Sequence, residues 1–333
     1  MSEISSAPRR TPYASLTLAG LASCLLFASL FLSFVFLLPV QIVNGRFGRR
    51  AGWASAGVAA AGIVVVQLWG TLSSATTGFW ALDLASGALP PVILLAALSL
   101  INAPIWGLRT KPYRVIIVSM ACALAALPFL LSIERDTSIA SYLEGKIGSV
   151  LAPFRSTSGE GYEASALAAS LDPKELVATS MNTLRDSFAA IILVIIGGSW
   201  RLGNRLSGPG SGGRAETCPI EALRLPYPLV WAFLASWSLV LAAVVLRAGE
   251  ALTAFAWNCA VVSTLLYAAQ GWGIVTHLFK SWNMPRSLRL LMGAMAVIAF
   301  FTPTAGFVVA ATLPLLGVTE IWIPYRKPKG AGA

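Results

Sequence analysis

Charge is what this sequence has least of. Only 11% of its 333 residues are Asp, Glu, Lys or Arg, while 56% are apolar; soluble domains devote about a quarter of their residues to charge. With a mean hydropathy of +0.74, the chain cannot keep a water-facing surface solvated. Soluble enzymes and nucleic-acid-binding domains are excluded as its class. Histidine is scarce too. His277 is the only one, which rules out metal centres built from several histidines and argues against a Ser-His-Asp triad. Of the four cysteines, Cys24, Cys122 and Cys259 lie in apolar runs and Cys218 in a polar stretch, so neither a disulfide framework nor a metal cluster follows. The sequence predicts no catalytic residue, no metal, no cofactor and no nucleic-acid partner, and the chain is not expected to be an enzyme.

What is present is a series of long apolar runs. At about 20 residues per crossing, spans are predicted at Ala51 to Thr71, Pro90 to Gly107, Val115 to Leu131, Ser187 to Trp200, Pro228 to Leu246 and Ala251 to Phe279. Leu16 to Val43 reads as a compressed hairpin, with a single tilted helix as the alternative. Leu288 to Tyr325 reads as a second hairpin broken near Pro303. The expected fold is all-α: a polytopic transmembrane helical bundle of about 8 to 10 membrane segments in membrane lipid, with both termini cytoplasmic.

The 24 basic residues outnumber the 14 acids, and they alternate from loop to loop as the positive-inside rule requires. Arg46, Arg49 and Arg50 mark one cytoplasmic loop, Arg109, Lys111 and Arg114 the next, then Arg201, Arg205, Arg214 and Arg224, then Lys280, Arg286 and Arg289. Arg9, Arg10, Arg326, Lys327 and Lys329 place both ends on the same side. Most acids, including Asp83, Glu134, Asp136 and Glu250, fall in the other loops. No cleavable signal peptide is apparent, so a multi-pass protein of a bacterial-type inner membrane is expected.

Residues 134–186 form the longest polar stretch and are assigned to the outside. Ile139, Leu143, Ile147, Val150 and Leu151 recur there at helical spacing, which predicts an amphipathic helix. After a break from Ser156 to Glu163, Asp172, Pro173 and Glu175 supply an N-cap, a first-turn proline and a first-turn acid for a helix from Pro173 to Trp200. The glycine-rich Ser207 to Arg214 superficially resembles a phosphate-cradling loop. It lacks the Lys and Ser/Thr of a P-loop and reads as a flexible linker.

Three groups of side chains stand out. Gly20, Cys24 and Ala28 repeat every fourth residue and form a small-residue face for close helix packing or for docking a partner; Gly52, Ala56 and Ala60 repeat the pattern. Ser263, Tyr267 and Gln270 share one face of an apolar helix, with His277 further along it, and are the ligand-binding candidates, since hydrogen-bonding groups in hydrocarbon need partners. An internal packing network is the alternative for that stripe. Glu320 sits among apolar neighbours and needs a counter-charge, for which Arg286 and Arg289 are the candidates.

Phe34 to Gly52 (FVFLLPVQIVNGRFGRRAG), Tyr267 to Leu291 (YAAQGWGIVTHLFKSWNMPRSLRLL) and Leu316 to Lys327 (LGVTEIWIPYRK) resemble the YybS-like family of uncharacterised bacterial membrane proteins. The closing motif departs from the family's pattern in having Glu320 in place of Asp. That family is distantly similar to the substrate-binding subunits of energy-coupling-factor vitamin transporters and to the cell-shape protein MreD. The resemblance implies a transporter-subunit-like core over residues 1–202, followed by a cytoplasmic linker at 203–227 and C-terminal membrane helices with a basic tail at 228–333. It likens the Gly20 face to the face with which transporter subunits dock a membrane coupling partner.

Two functional expectations follow. One is a small-molecule binding or transport subunit without its own energising domain, with a pocket open to the outside. The alternative is a membrane scaffold for envelope or cell-shape proteins.

Overall fold

A computed structural model describes residues 13–29, 32–73, 80–103, 111–135, 137–156, 170–208, 219–300 and 302–326. The break expected after Ser156, the glycine-rich stretch beyond Gly208, Cys218, Arg109 and the charged ends lie outside these residues. The regular elements within them are all helices, with no strand. It forms two compact units, Met1–Ala126 with Ile191–Thr217, and Leu127–Ala190 with Cys218–Ala333.

In the first unit α1 (Tyr13–Ala28) leads through a 3-10 turn at Ser33–Val35 into α2 (Leu38–Phe47), α3 (Arg49–Ser73), α4 (Trp80–Ile101) and most of α5 (Lys111–Arg135). The expected break inside Leu16 to Val43 is real. Ser23 donates its hydroxyl proton to the Phe36 carbonyl across it, and Phe27 meets Phe36 edge-on at 5.4 Å. Between α2 and α3 the backbone turns at Gly48 with φ 88°, a left-handed conformation that favours glycine. The α4 helix begins ten residues before the predicted start at Pro90 and carries Pro90 and Pro91 inside it.

The small-residue face of α1 packs on α3 within this unit. A Cβ added at Gly20 would lie 2.6 Å from Val58 and 3.0 Å from the Ser55 carbonyl, and one at Gly62 would lie 3.2 Å from the Cys24 sulfur. Ala28, the last member of the line, is exposed.

The second unit holds α6 (Thr137–Ser156), the first half of α7 (Pro173–Leu206), a 3-10 turn at Ile220–Ala222, α8 (Leu229–Val245), α9 (Glu250–Ser281), α10 (Arg286–Phe300) and α11 (Pro303–Thr319). The Asp172 carboxylate accepts from the Lys174 backbone N–H at 3.0 Å, so the predicted cap forms. The α7 helix is 34 residues long, about 51 Å, and runs past Trp200 through the boundary drawn at residue 202. Asn258 fastens its first half to α9, accepting from the Ala189 N–H at 2.8 Å and donating to the Arg185 carbonyl at 2.6 Å.

Helices α9 and α11 cross backbone to backbone. A Cβ on Gly271 would collide with the Leu313 carbonyl, and one on Gly317 with that of Tyr267. The α8 helix packs along α9 through Val240, Ala243, Ala256 and Ala260, then ends in a Schellman-type turn in which Arg247 takes φ 50° and the Ala248 N–H bonds the Ala243 carbonyl at 2.9 Å. The break between α10 and α11 falls at Pro303, as expected. The two arms are bent by 115° and at 15 and 17 residues are each about 22–25 Å long, short of a hydrocarbon core of about 30 Å.

Among the described residues Arg49–Leu72, Pro173–Leu206 and Glu250–Ser281 are each long and apolar enough to cross a membrane, and the bent pair makes a fourth if it counts as one span. Five shorter apolar helices accompany them. The architecture is that of a helical membrane bundle.

Candidate functional site

In the second unit the polar stripe of α9 faces inward: Ser263, Tyr267 and Gln270 are 7%, 0% and 3% exposed. They do not share one site. Ser263 lies 3.1 Å from the Ser236 hydroxyl of α8. Tyr267 packs edge-on against Phe233 at 5.4 Å within a core that includes Val230 and Val318, and its hydroxyl has no hydrogen-bond partner among the described residues. Gln270 lines a cavity. His277 is half-buried further along the helix.

Gln270 joins three segments. Its side-chain oxygen accepts from the Leu225 N–H at 2.8 Å, and its nitrogen donates to the Gly317 carbonyl at 3.0 Å and the Glu320 carboxylate at 2.9 Å. The segment before α8 can approach because Gly273 presents no side chain: a Cβ there would stand 2.5 Å from the Ile220 carbonyl.

The partner of Glu320 is Arg326, not Arg286 or Arg289. Arg326 donates Nε at 2.5 Å to one carboxylate oxygen and Nη2 to the other, a two-point pairing that matches the planar guanidinium fork. Side-chain exposures are 3% and 8%. Its remaining donors reach the Glu221 carbonyl at 2.6 Å and the Leu223 carbonyl at 3.0 Å. The expected pairing fails for a geometric reason. The α11 helix ends beside Gln270, about 16 Å along the axis from the end of α9 at Ser281, before α10 has begun. The short tail then folds back and brings Arg326 onto the carboxylate. Arg286 is exposed, and the buried Nε of Arg289 has no partner among the described residues.

Beside this pair lies a cavity of about 230 Å³ lined by Arg224, Leu225, Tyr227, Gln270, Glu320, Ile321 and Pro324. Its charges do not cancel. Arg326 neutralises Glu320, and Lys280 pairs with Glu221 at 2.6 Å. Arg224 is exposed, and among the described residues its side chain makes one hydrogen bond, from Nη2 to the Arg326 carbonyl at 3.0 Å. Among the described residues the cavity therefore carries an excess positive charge on a side chain with donors to spare. It opens at the end of the bundle where the basic residues gather, not at the end expected to face outside.

A second polar cluster, in the first unit, escaped the sequence reading. Gln41 donates to Asn204 at 2.7 Å and accepts from Asn102 at 2.8 Å, and Asn102 also donates to the Leu98 carbonyl at 2.9 Å. Gln41 is wholly buried, and a Cβ on Gly203 would lie 2.5 Å from it. Ser207 donates to the Ile42 carbonyl at 3.2 Å and the Gly203 carbonyl at 2.7 Å, while Arg46 reaches the Leu206 carbonyl at 3.3 Å. The space beside Gln41 and Asn102 measures about 10 Å³, room for one water at most. This cluster locks helices together. The signal for it was an amide close to each of three basic loops. Among the described residues no group of His, Cys, Asp and Glu could hold a metal ion.

Residues 213–318, about a third of the chain, match DUF2232, a family described as a predicted membrane protein. The match runs through α8, α9, α10 and nearly all of α11, and stops just before Glu320. No curated protein and no solved structure matches the chain. By composition, helices and this similarity, the protein is an integral membrane protein.

Proposed function

We propose that this protein is a multi-pass protein of a bacterial-type inner membrane that acts as a small-molecule binding subunit, working with a separate energising partner. The observation that carries this reading is the cavity between Gln270, Glu320 and Arg224. A chain this poor in charge places a buried ion pair, an amide and an exposed guanidinium around one hollow, and such a gathering of polar groups in a membrane protein marks a binding site. The YybS-like and transporter-subunit resemblances agree with it, and the sequence carries no nucleotide-binding motif of its own. The test is purification in mild detergent followed by mass spectrometry of everything that co-purifies. A metabolite or lipid retained stoichiometrically by the wild type and lost from Arg224→Gln supports the reading; the same molecules on both proteins remove it.

A scaffold role has one observation in its favour. Ser263 and Gln270 are satisfied inside the protein, and the apolar α10 has no buried residue, so it offers a whole face to lipid or to another helix. A stable envelope-protein partner in the same purification, with no ligand that depends on Arg224, selects the scaffold.

A further inference from the structure

We propose that the cavity beside Gln270 holds the anionic phosphate head of a lipid, with Arg224 as its anchor and the acyl chains remaining in the bilayer. The inference rests on the binding reading above and names the class of ligand.

Size argues first. Pockets that enclose a whole metabolite measure about 300–1,000 Å³, and about 230 Å³ suits a head group whose tail needs no protein walls. Depth argues next. Tyr227, Trp282 and Trp322 are 57%, 62% and 64% exposed and stand just outside the ends of α8, α9 and α11. Exposed Trp and Tyr at helix ends mark the membrane–water boundary, so the cavity opens at head-group level. Charge decides the sign. With Glu320 neutralised by Arg326 and Glu221 by Lys280, Arg224 has no acidic partner among the described residues, and its planar guanidinium fork suits phosphate oxygens. A path for the tail begins at the rim. Tyr227 continues into Trp231, Leu234 and Leu241, which share one face of α8 and are 62%, 46% and 65% exposed.

The test uses the full chain in detergent. It is titrated with phosphatidylglycerol, with phosphatidylcholine and with inorganic phosphate or glycerol phosphate, and binding is read by native mass spectrometry and by the shift in Tm. The expected result is saturable one-to-one binding of phosphatidylglycerol, at least tenfold tighter than phosphatidylcholine, with no competition from millimolar free phosphate. Arg224→Gln should lose at least tenfold of that preference. Because this change also removes the bond to the Arg326 carbonyl, Tyr227→Glu provides a second variant: the site is exposed, and the added carboxylate should repel the head group without touching the fold. Arg247→Gln, a basic residue at the far end of α8, should bind like wild type. Equal binding of both lipids, or variants at Arg224 and Tyr227 that fold and bind as wild type does, overturns the proposal. Full competition by free phosphate also overturns it, in favour of a soluble anion, and leaves the binding-subunit reading standing. If no lipid binds while another molecule co-purifies in an Arg224-dependent way, this inference fails and the reading it rests on survives.

Discussion

Arg326 closes on the carboxylate of Glu320 six residues earlier in the chain, turning the C-terminal tail back over the helix it has just left. The same carboxylate accepts from Gln270 on α9, so one buried anion ties the tail, α11 and α9 together. Removing one member of a buried ion pair leaves the other uncompensated, at a cost of about 3–5 kcal/mol. Arg326→Leu should therefore lower the Tm in detergent sharply, and Glu320→Leu with Arg326→Leu should recover most of the loss. A double variant no better than the worse single one would show that the pair matters for something other than charge compensation.

At the α9–α11 crossing, Gly271 and Gly317 permit backbone contact. Gly317→Val should cost about 1–3 kcal/mol or more through overpacking, because the obstacle is a carbonyl and not a side chain that can rotate away. Gly148→Ala in α6, where nothing lies within 4 Å, should instead add about 0.5–1 kcal/mol. Thermal unfolding of both variants measures the contrast.

Gly20→Leu should destabilise the protein by overpacking α1 against Val58 and Ser55 of α3, while Leu25→Ile, at a side chain 72% exposed, should change little. Equal tolerance of the two substitutions would mean that the α1–α3 contact is not formed in the membrane.

Gln41→Leu should cost about 1–3 kcal/mol by leaving Asn102 and Asn204 unsatisfied in the interior of the first unit. Exchanging all three amides for apolar residues of similar size should cost less than that single change. Chemical or thermal unfolding of the two variants, compared at one detergent concentration, gives the answer.

Sidedness can be read in intact cells. In a background without the native cysteines, Gly145→Cys in α6 should react with an impermeant thiol reagent, and Ser287→Cys beside Arg286 should not. The opposite pattern would place the basic loops outside and overturn the positive-inside assignment.

The sequence by itself determined the class of molecule and where most of its helices lie, though not every boundary: α4 starts ten residues before Pro90 and α7 runs past Trp200. Scarce charge and long apolar runs require backbone groups to be satisfied within each segment, so helices follow without any knowledge of packing. The Asp172 cap and the Pro303 break were legible for the same reason: both act over a single turn of chain. The inward face of Ser263, Tyr267 and Gln270 was also legible, because helical periodicity fixes which side chains share a side and hydrocarbon cannot satisfy them. Which groups they meet was not. That Tyr267 belongs to an aromatic core, Gln270 to a cavity and Glu320 to Arg326 depends on where α11 ends against α9 and on how the tail folds back. The amides at 41, 102 and 204 become one cluster only when three distant segments converge. Those relationships join residues that are far apart in sequence or separated by an irregular turn, and no local pattern encodes the distance between them; only tertiary packing decided it.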